Sequence, residues 1–425
     1  MLGLAVIADD ITGAADTGVQ FLPAFAPVYL LDHRLLSLKA VEPPPQAISV
    51  FTSSRGLTPV EAGRVALETG RAIRGFHPAR VYKKIDSALR GHIGAELEAM
   101  MEALDLPFSF IVPAFPEQGR VTVGGVHRIH GVPVAETEMG WDPVTPVTES
   151  LLPKWIGAQT RWPVAHVGVA AIDAGIEAVA AEIERQRSRG VRHIGFDATG
   201  AEHLNRIARL ALNRFPEALL CGSAGLARGL AGQLPPRRTP EAGQQAPILQ
   251  AEAGRFLLVC GSASETLRSQ AAVLAERGGV AIETLPPAAL IGDDAPSIRE
   301  AALSRAAAAF SERDLILQLS SPGKEAAAVE PQRLVWKLAE FAVAVMARAK
   351  TAGLFLSGGD TAIAVLEQLD VKAVRLEREL SSGLVFGTIS GGPLSGRPVV
   401  TKAGSFGRPE TLLDLHGRLR PAEHA

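Results

Sequence analysis

A short apolar run, Leu4-Ala5-Val6-Ile7, gives way at once to Ala8-Asp9-Asp10-Ile11-Thr12-Gly13-Ala14-Ala15-Asp16. Such a run reads as a strand buried on both faces, the usual state of parallel strands in α/β proteins. Two adjacent carboxylates then fall where a strand ends and a helix begins. Open α/β sheets bind their ligands at that edge. Neighbouring acids repel, so the pair suits gripping hydroxyls, taking a proton or holding Mg²⁺. The alternative is that one of the two only caps the following helix.

The same alternation continues along the chain. Leu4–Ala8, Pro27–Leu31, Ala47–Thr52, Arg80–Lys84 and Phe108–Pro113 read as strands, and Val60–Arg74 and His92–Leu104 as helices. A second set of strands is Phe256–Cys260, Leu315–Ser320, Gly353–Ser357 and Val399–Lys402, with Ala-rich helices such as Ile298–Phe310 and Pro331–Ala349 between them. The pattern predicts an α/β protein of two domains, each a mainly parallel sheet flanked by helices. Residues 234–250 are rich in Pro, Gly and polar residues and lack periodicity, so they read as a linker between domains 1–233 and 251–425. Two-domain α/β enzymes commonly place their site in the interdomain cleft, which is the expectation here.

Composition narrows the function. The net charge of −2 and the 5% aromatic content argue against nucleic-acid binding. No apolar run reaches the roughly 18 residues needed to span a bilayer, and the start of the chain does not read as a signal peptide. Cys221 and Cys260 both end apolar runs and read as buried small hydrophobes in a reducing compartment. The expectation is a cytoplasmic protein without a membrane or nucleic-acid partner.

In the first half, polar clusters follow four of the strands: Asp9-Asp10, Thr52-Ser53-Ser54-Arg55-Gly56, Lys83-Lys84-Ile85-Asp86-Ser87-Ala88-Leu89-Arg90-Gly91, and Pro113-Ala114-Phe115-Pro116. In a parallel sheet these loops converge on one edge. The mixture of charges suggests an anionic, hydroxylated ligand. Arg55 and Arg90 suit a carboxylate, with Lys83 and Lys84 adding positive charge. Asp86, with Asp9 or Asp10, suits ligand hydroxyls, and one of these acids suits a general base. The bland reading of 83–90 is a solvated charge run opening a helix. Residues 118–150 look irregular and too apolar for disorder, so they read as a cover over the cleft. His127 and His130, within that stretch, read as ordinary loop histidines rather than metal ligands.

In the second half, Ser357-Gly358-Gly359-Asp360-Thr361 joins a strand to a helix, an arrangement that cradles phosphate on backbone N–H groups. Cys260-Gly261-Ser262-Ala263-Ser264 and Lys402-Ala403-Gly404-Ser405 repeat the logic. Neither a Walker A motif nor a dinucleotide fingerprint is present.

Taken in order, Ile7-Ala8-Asp9-Asp10-Ile11-Thr12-Gly13-Ala14, Lys83-Lys84-Ile85-Asp86-Ser87, Pro113-Ala114-Phe115-Pro116, Cys221-Gly222-Ser223-Ala224-Gly225-Leu226-Ala227, Ser357-Gly358-Gly359-Asp360-Thr361 and Thr401-Lys402-Ala403-Gly404-Ser405-Phe406-Gly407 resemble the four-carbon acid sugar kinases over nearly the whole chain. That family includes D-threonate, D-erythronate and 3-oxo-tetronate kinases. The resemblance implies an N-terminal domain that binds the acid through Asp9 or Asp10, Arg55 and Lys83, Lys84, Ile85 and Asp86. It implies a C-terminal domain that binds ATP through Ser262, Ser357, Gly358, Gly359, Asp360, Thr361 and Gly404. The implied reaction transfers the γ-phosphoryl group of MgATP to a terminal hydroxyl, with Asp86 or the Asp9/Asp10 pair receiving the proton. A homodimer is reasonable on the same ground. Two departures touch the expected sites: Ala88 stands where the family usually has Thr, and Ser381-Ser382-Gly383-Leu384 stands where a Pro-Gly pair is usual. A two-lobe dehydrogenase or isomerase, or a non-catalytic sugar-acid sensor, are the rival readings.

Overall fold

The computed structural model describes residues 2–236, 254–261, 264–291, 295–320, 331–403 and 406–420. The chain divides into two compact units, 1–240 and 241–425. Most of the linker stretch lies outside the described residues, as do Ser262 and Gly404.

Unit 1 is built on eight parallel strands: β1 (Leu4–Ala8), β2 (Val28–Asp32), β3 (Ala47–Phe51), β4 (Val81–Lys84), β5 (Phe108–Val112), β9 (Val164–Val167), β10 (His193–Phe196) and β11 (Ala218–Gly222). Their order is β2-β3-β1-β4-β11-β5-β10-β9. β1, β3 and β5 are buried at every position, as their continuous apolar runs require. The register aligns the C-terminal ends. Ala8 pairs with Phe51 and Lys84, and Gly222 pairs with Lys84 and Val112. The four polar loops therefore leave the sheet side by side.

Helix α1 (Ile11–Gly18) starts at Asp10, and α2 (Pro59–Arg74) starts from a capping box made by Thr58 and Glu61. Helix α3 (Ile93–Leu104) packs on α2 so closely that a Cβ at Gly70 would lie 2.6 Å from the Cβ of Ala103.

Residues 118–150 are not the irregular stretch expected. They contain the antiparallel strands β6 (Arg120–Val123), β7 (Val126–Ile129) and β8 (Val132–Pro133), followed by short 3₁₀ turns. The hairpin turn is Gly124-Gly125, both at positive φ, and Asp197 accepts their two N–H groups at 2.8 and 3.0 Å. The Val121–Val123 and Val126–Ile129 segments are too short for periodicity to reveal.

Unit 2 orders its strands β13-β14-β12-β15-β18-β17-β16. β12 (Arg255–Cys260), β13 (Ala281–Leu285), β14 (Leu315–Leu319), β15 (Thr351–Ser357) and β18 (Pro398–Lys402) are parallel. β16 (Ala373–Ser381) and β17 (Leu384–Ser390) form an antiparallel hairpin, and β17 pairs antiparallel with β18. The turn of that hairpin needs Gly383 at φ 72°, so the Ser-Ser-Gly-Leu departure is a β-hairpin corner.

Among the described residues no helix is long and apolar enough to cross a membrane. The core of unit 1 centres on Phe110, fully buried and edge-to-face with Phe108, Phe196 and Phe215 at 5.5, 4.9 and 5.6 Å. Replacing Phe110 by Ala is expected to destabilise this unit by about 3–5 kcal/mol, and by Leu distinctly less. Urea unfolding followed by circular dichroism checks the order of the two variants.

Candidate active site

The loops at the C-terminal edge of unit 1 carry one ion-pair network. Asp10 has an extended backbone (φ −140°, ψ 159°) and accepts from Gly13 N at 2.8 Å and Thr12 Oγ1 at 2.9 Å. It is therefore the N-cap of α1, but it also meets Arg55 Nη1 at 3.0 Å. Asp9 is 3% exposed and takes a two-point contact from the same guanidinium, Nε to Oδ2 at 2.7 Å and Nη2 to Oδ1 at 2.9 Å. One arginine thus bridges both acids and offsets the repulsion between the neighbouring carboxylates.

Arg55 reaches them because the β1–β3 ladder runs on past the strand ends. Thr52 N donates to Ala8 O at 2.9 Å and Ser54 N to Asp9 O at 3.1 Å. Burial opposes charge on Asp9, yet Arg55, with Lys83 and Lys84, holds its carboxyl below the ordinary range. Burial also opposes the charge of Arg55, and Asp10, Asp9 and Asp86 more than offset it.

Lys83 and Lys84 are not a solvated run, since both are buried. Lys83 Nζ donates to Glu96 Oε2 at 2.6 Å and to Lys84 O at 3.0 Å. The other Glu96 oxygen accepts from Ser54 Oγ at 2.7 Å. Lys84 Nζ donates to Ile85 O at 2.7 Å. A Cβ at Gly13 would lie 2.9 Å from that ammonium, so the glycine leaves room for it. Ile85 itself is buried and donates its N–H to Gly222 O at 3.0 Å.

Asp86 accepts from Arg90 Nε at 2.7 Å, through Oδ2. Arg90 folds back onto it through a tight turn with Leu89 at φ 65° and Gly91 at φ 91°. At Gly91 a Cβ would lie 3.1 Å from Asp9 Oδ2. Burial opposes the charge of Asp86, but Arg90, Arg55 and Arg120 hold its carboxyl well below the ordinary range. Every oxygen of Asp9 and Asp10 accepts a hydrogen bond or ion pair. Asp86 Oδ1 accepts none from the described residues. All three donor nitrogens of Arg55 are engaged. On Arg90, Nε meets Asp86, Nη1 meets Asp142 at 3.2 Å, and Nη2 meets no described acceptor.

The β6–β8 segment supplies the rest of the wall. Arg120 Nη1 donates to Ser87 Oγ at 2.7 Å. His127 is fully buried, with Nε2 2.8 Å from Ser87 O and Nδ1 3.0 Å from Thr122 Oγ1. Burial lowers its pKa to about 4, so the ring is neutral and structural. Ala88 is fully buried, so its methyl faces the protein interior.

Glu96, Arg120 and Asp142 are the residues that reading the loops alone does not find. Glu96 was nonetheless legible. It lies on the face of α3 that carries Ile93, Leu97 and Met100, where an acid needs a buried partner.

In unit 2, Cys260 pairs with Ser357 and Ser357 with Lys402, so β12, β15 and β18 end together. Ser357 is fully buried and its Oγ has no hydrogen-bond partner among the described residues. Gly358 follows at φ 99° and opens the helix Gly359–Gln368, with Asp360 exposed and Thr361 buried in its first turn. Gly261 lies so close that a Cβ there would be 2.2 Å from Thr361 Oγ1. Burial lowers the pKa of Lys402, at the end of β18, to about 8. A buried orphan hydroxyl beside a glycine turn and a helix N-terminus fits an anionic group.

A cavity of about 310 Å³ also opens at the opposite edge of unit 1, lined by residues such as Arg74, His77, Leu104 and Phe215. It contains none of the charged residues of the ion-pair network, so its size says nothing about the chemistry.

Residues 4–230 match a sugar-binding N-terminal domain, and residues 257–412 a nucleotide-binding C-terminal domain. The D-threonate kinase of Salmonella typhimurium is 31% identical over 97% of each chain. The D-erythronate kinase of Heliobacterium modesticaldum is 27% identical over 96% of this chain and 95% of that one. A solved structure from Salmonella typhimurium LT2 superposes with a TM-score of 0.78 at 22% identity, covering 99% of this chain and all of the other, and so shares its fold. Fold and matches together define a phosphotransferase built from two α/β domains. The chain belongs to the four-carbon acid sugar kinase family. The dehydrogenase, isomerase and sensor readings are thereby set aside.

The buried Lys83–Glu96 pair makes a stability prediction. Lys83→Met alone is expected to cost about 3–5 kcal/mol by stranding Glu96, and Lys83→Met with Glu96→Leu to recover most of it. Denaturant midpoints of the two variants check this. A second prediction concerns acid. Asp9 and Asp86 have lowered folded pKa values. Their stabilisation is complete above the unfolded value of about 3.9 and is lost as pH falls through the folded values. Thermal melts from pH 7 down to acid are therefore expected to show a shallower loss for Asp86→Asn than for the wild type.

Proposed function

We propose that the protein transfers the γ-phosphoryl group of ATP to the terminal hydroxyl of a four-carbon sugar acid, such as D-threonate, D-erythronate or a 3-oxo-tetronate. The observation that carries the reading is the pair of open atoms in unit 1, Asp86 Oδ1 and Arg90 Nη2. Arg90 has donor capacity left for the carboxylate of the acid. Asp86 has an oxygen left for a hydroxyl.

At neutral pH Asp86 is ionised, because its cationic neighbours depress its pKa. A weakly basic carboxylate accepts the hydroxyl proton late, after the new O–P bond has begun to form. That timing suits phosphoryl transfer, in which positioning and charge stabilisation supply most of the catalysis. Asp9 and Asp10 serve a different end, since Arg55 saturates them and they anchor the edge from which Asp86 works.

Ser357, Gly358 and the first turn of Gly359–Gln368, with Thr361, are proposed to hold the phosphates of the nucleotide in unit 2. Ser262 and Gly404, outside the described residues, are proposed to join them. Mg²⁺ is proposed to arrive on the triphosphate, where it would neutralise phosphate charge. Such ions are usually bound through substrate phosphates and one or two carboxylates.

A coupled assay of ADP release, run with MgATP and a panel of four-carbon acids, tests the reading. Turnover is expected with at least one of the three acid types, and release that no acid in the panel stimulates would contradict it. Asp86→Asn is expected to cut kcat more than ten-fold, within the roughly 10²–10⁴ range of general-base effects. Gly358→Val, which forces a branched side chain into positive φ, is expected to raise the KM for ATP several-fold while leaving the affinity for the acid unchanged.

A further inference from the structure

Asp142 lies in the stretch between β8 and the helix Leu152–Gly157, and its carboxylate reaches back to the site. Its Oδ2 accepts from Arg90 Nη1 at 3.2 Å. Its Oδ1 accepts from the backbone N–H groups of Val144 and Thr145 at 3.0 and 2.8 Å. The neighbouring side chains of Trp141 and Val144 are 73% and 64% exposed. Only Oδ2 faces the arginine, so leaving Arg90 would cost Asp142 none of its backbone hydrogen bonds.

A carboxylate ligand grips a guanidinium best with two parallel hydrogen bonds. On Arg90 one edge of the fork is held by Asp86 through Nε at 2.7 Å. The end of the fork, Nη1 and Nη2, is half occupied by Asp142 through the longer contact. An incoming carboxylate that takes the Nη1–Nη2 end of the fork therefore meets Asp142 as a competitor at Nη1. Charge points the same way. Five carboxylates, Asp9, Asp10, Asp86, Glu96 and Asp142, already face the five cations Arg55, Lys83, Lys84, Arg90 and Arg120, and Arg120 also feels Glu138 and Asp16, so the site carries no surplus of positive charge. A further carboxylate is accommodated most easily if one acid withdraws, and Asp142 is the one on the longest contact with Arg90.

We propose that Asp142 is a specificity-determining residue, holding on Arg90 the place that the carboxylate of the substrate takes over. The protein is then tuned to reject weak anions and neutral polyols, since a ligand must outcompete an internal carboxylate to seat itself. This rests on the reading that Arg90 binds the acid.

Isothermal titration of the whole protein with D-threonate, D-erythronate and the neutral polyol D-threitol separates the possibilities. Asp142→Asn keeps the oxygen that takes the Val144 and Thr145 N–H groups but loses the charge. It is expected to bind the preferred acid about five-fold more tightly than the wild type, because a competitor for the same donors has been weakened. Its affinity for D-threitol is expected to stay where it was. Asp142→Ala is expected to move acid affinity in the same direction.

Unchanged or weaker acid binding by both variants, with Arg90→Gln losing at least ten-fold, would overturn the proposal and leave Arg90 as the acid-binding residue. Wild-type acid affinity in Arg90→Gln would instead overturn the reading of Arg90. With Arg90→Gln as background, Asp142→Asn is expected to give no further gain, and a full five-fold gain there would show that Asp142 acts elsewhere and sink the proposal.

Discussion

Two ionised carboxylates cannot sit side by side at a buried strand end unless a cation is fixed against both. Arg55 meets that requirement, with three nitrogens spread over Asp9 and Asp10. Most of the surrounding architecture serves its placement. The β1–β3 ladder is carried beyond the strands so that the Thr52–Gly56 loop passes over Asp9. Gly91 adopts positive φ where a side chain would crowd the Asp9 carboxylate. Glu96 fixes Ser54, one residue before Arg55, and holds Lys83 below it.

Saturating those two acids has a consequence for chemistry. Groups with every lone pair and donor engaged are held rigidly, so the chemistry is assigned, on the proposed reading, to incompletely engaged groups. At this edge they include Asp86, with one oxygen open among the described residues, and Arg90, with one nitrogen open. The same residue types in the same loop thus divide into scaffold and tool according to how completely their neighbours satisfy them.

Much of this was legible in the chain. β1, β3 and β5 were found within a residue of their ends, because strands buried on both faces leave unbroken apolar runs. β13 and β16 were not. Partly exposed charged residues such as Glu283, Arg375 and Glu377 interrupt their apolar positions, and β13 lies at the edge of its sheet. Loop position after a strand correctly marked Asp9, Asp10, Arg55, Asp86 and Arg90 as neighbours. It did not say which would pair with which, and it did not show that Lys83 and Lys84, read as site cations, are buried, Lys83 against Glu96 and Lys84 against the Ile85 carbonyl. Arg120 and Asp142 escaped because the tertiary folding of residues 118–150 brings them back, and no local pattern encodes that return. The capping alternative for the acid pair and the catalytic one were not exclusive, since Asp10 caps α1 while meeting Arg55.

The central claim is that the acid lies with its carboxylate toward Arg90 and its far hydroxyl at Asp86, so that phosphate is delivered to the end of the carbon chain. Proton-coupled ³¹P spectroscopy of the product, made with whichever four-carbon acid the protein turns over, tests it most directly. A phosphorus signal split into a triplet by the two protons of a terminal CH₂–O–P group is the expected result. A doublet, which places the phosphate on a secondary carbon, would contradict the account.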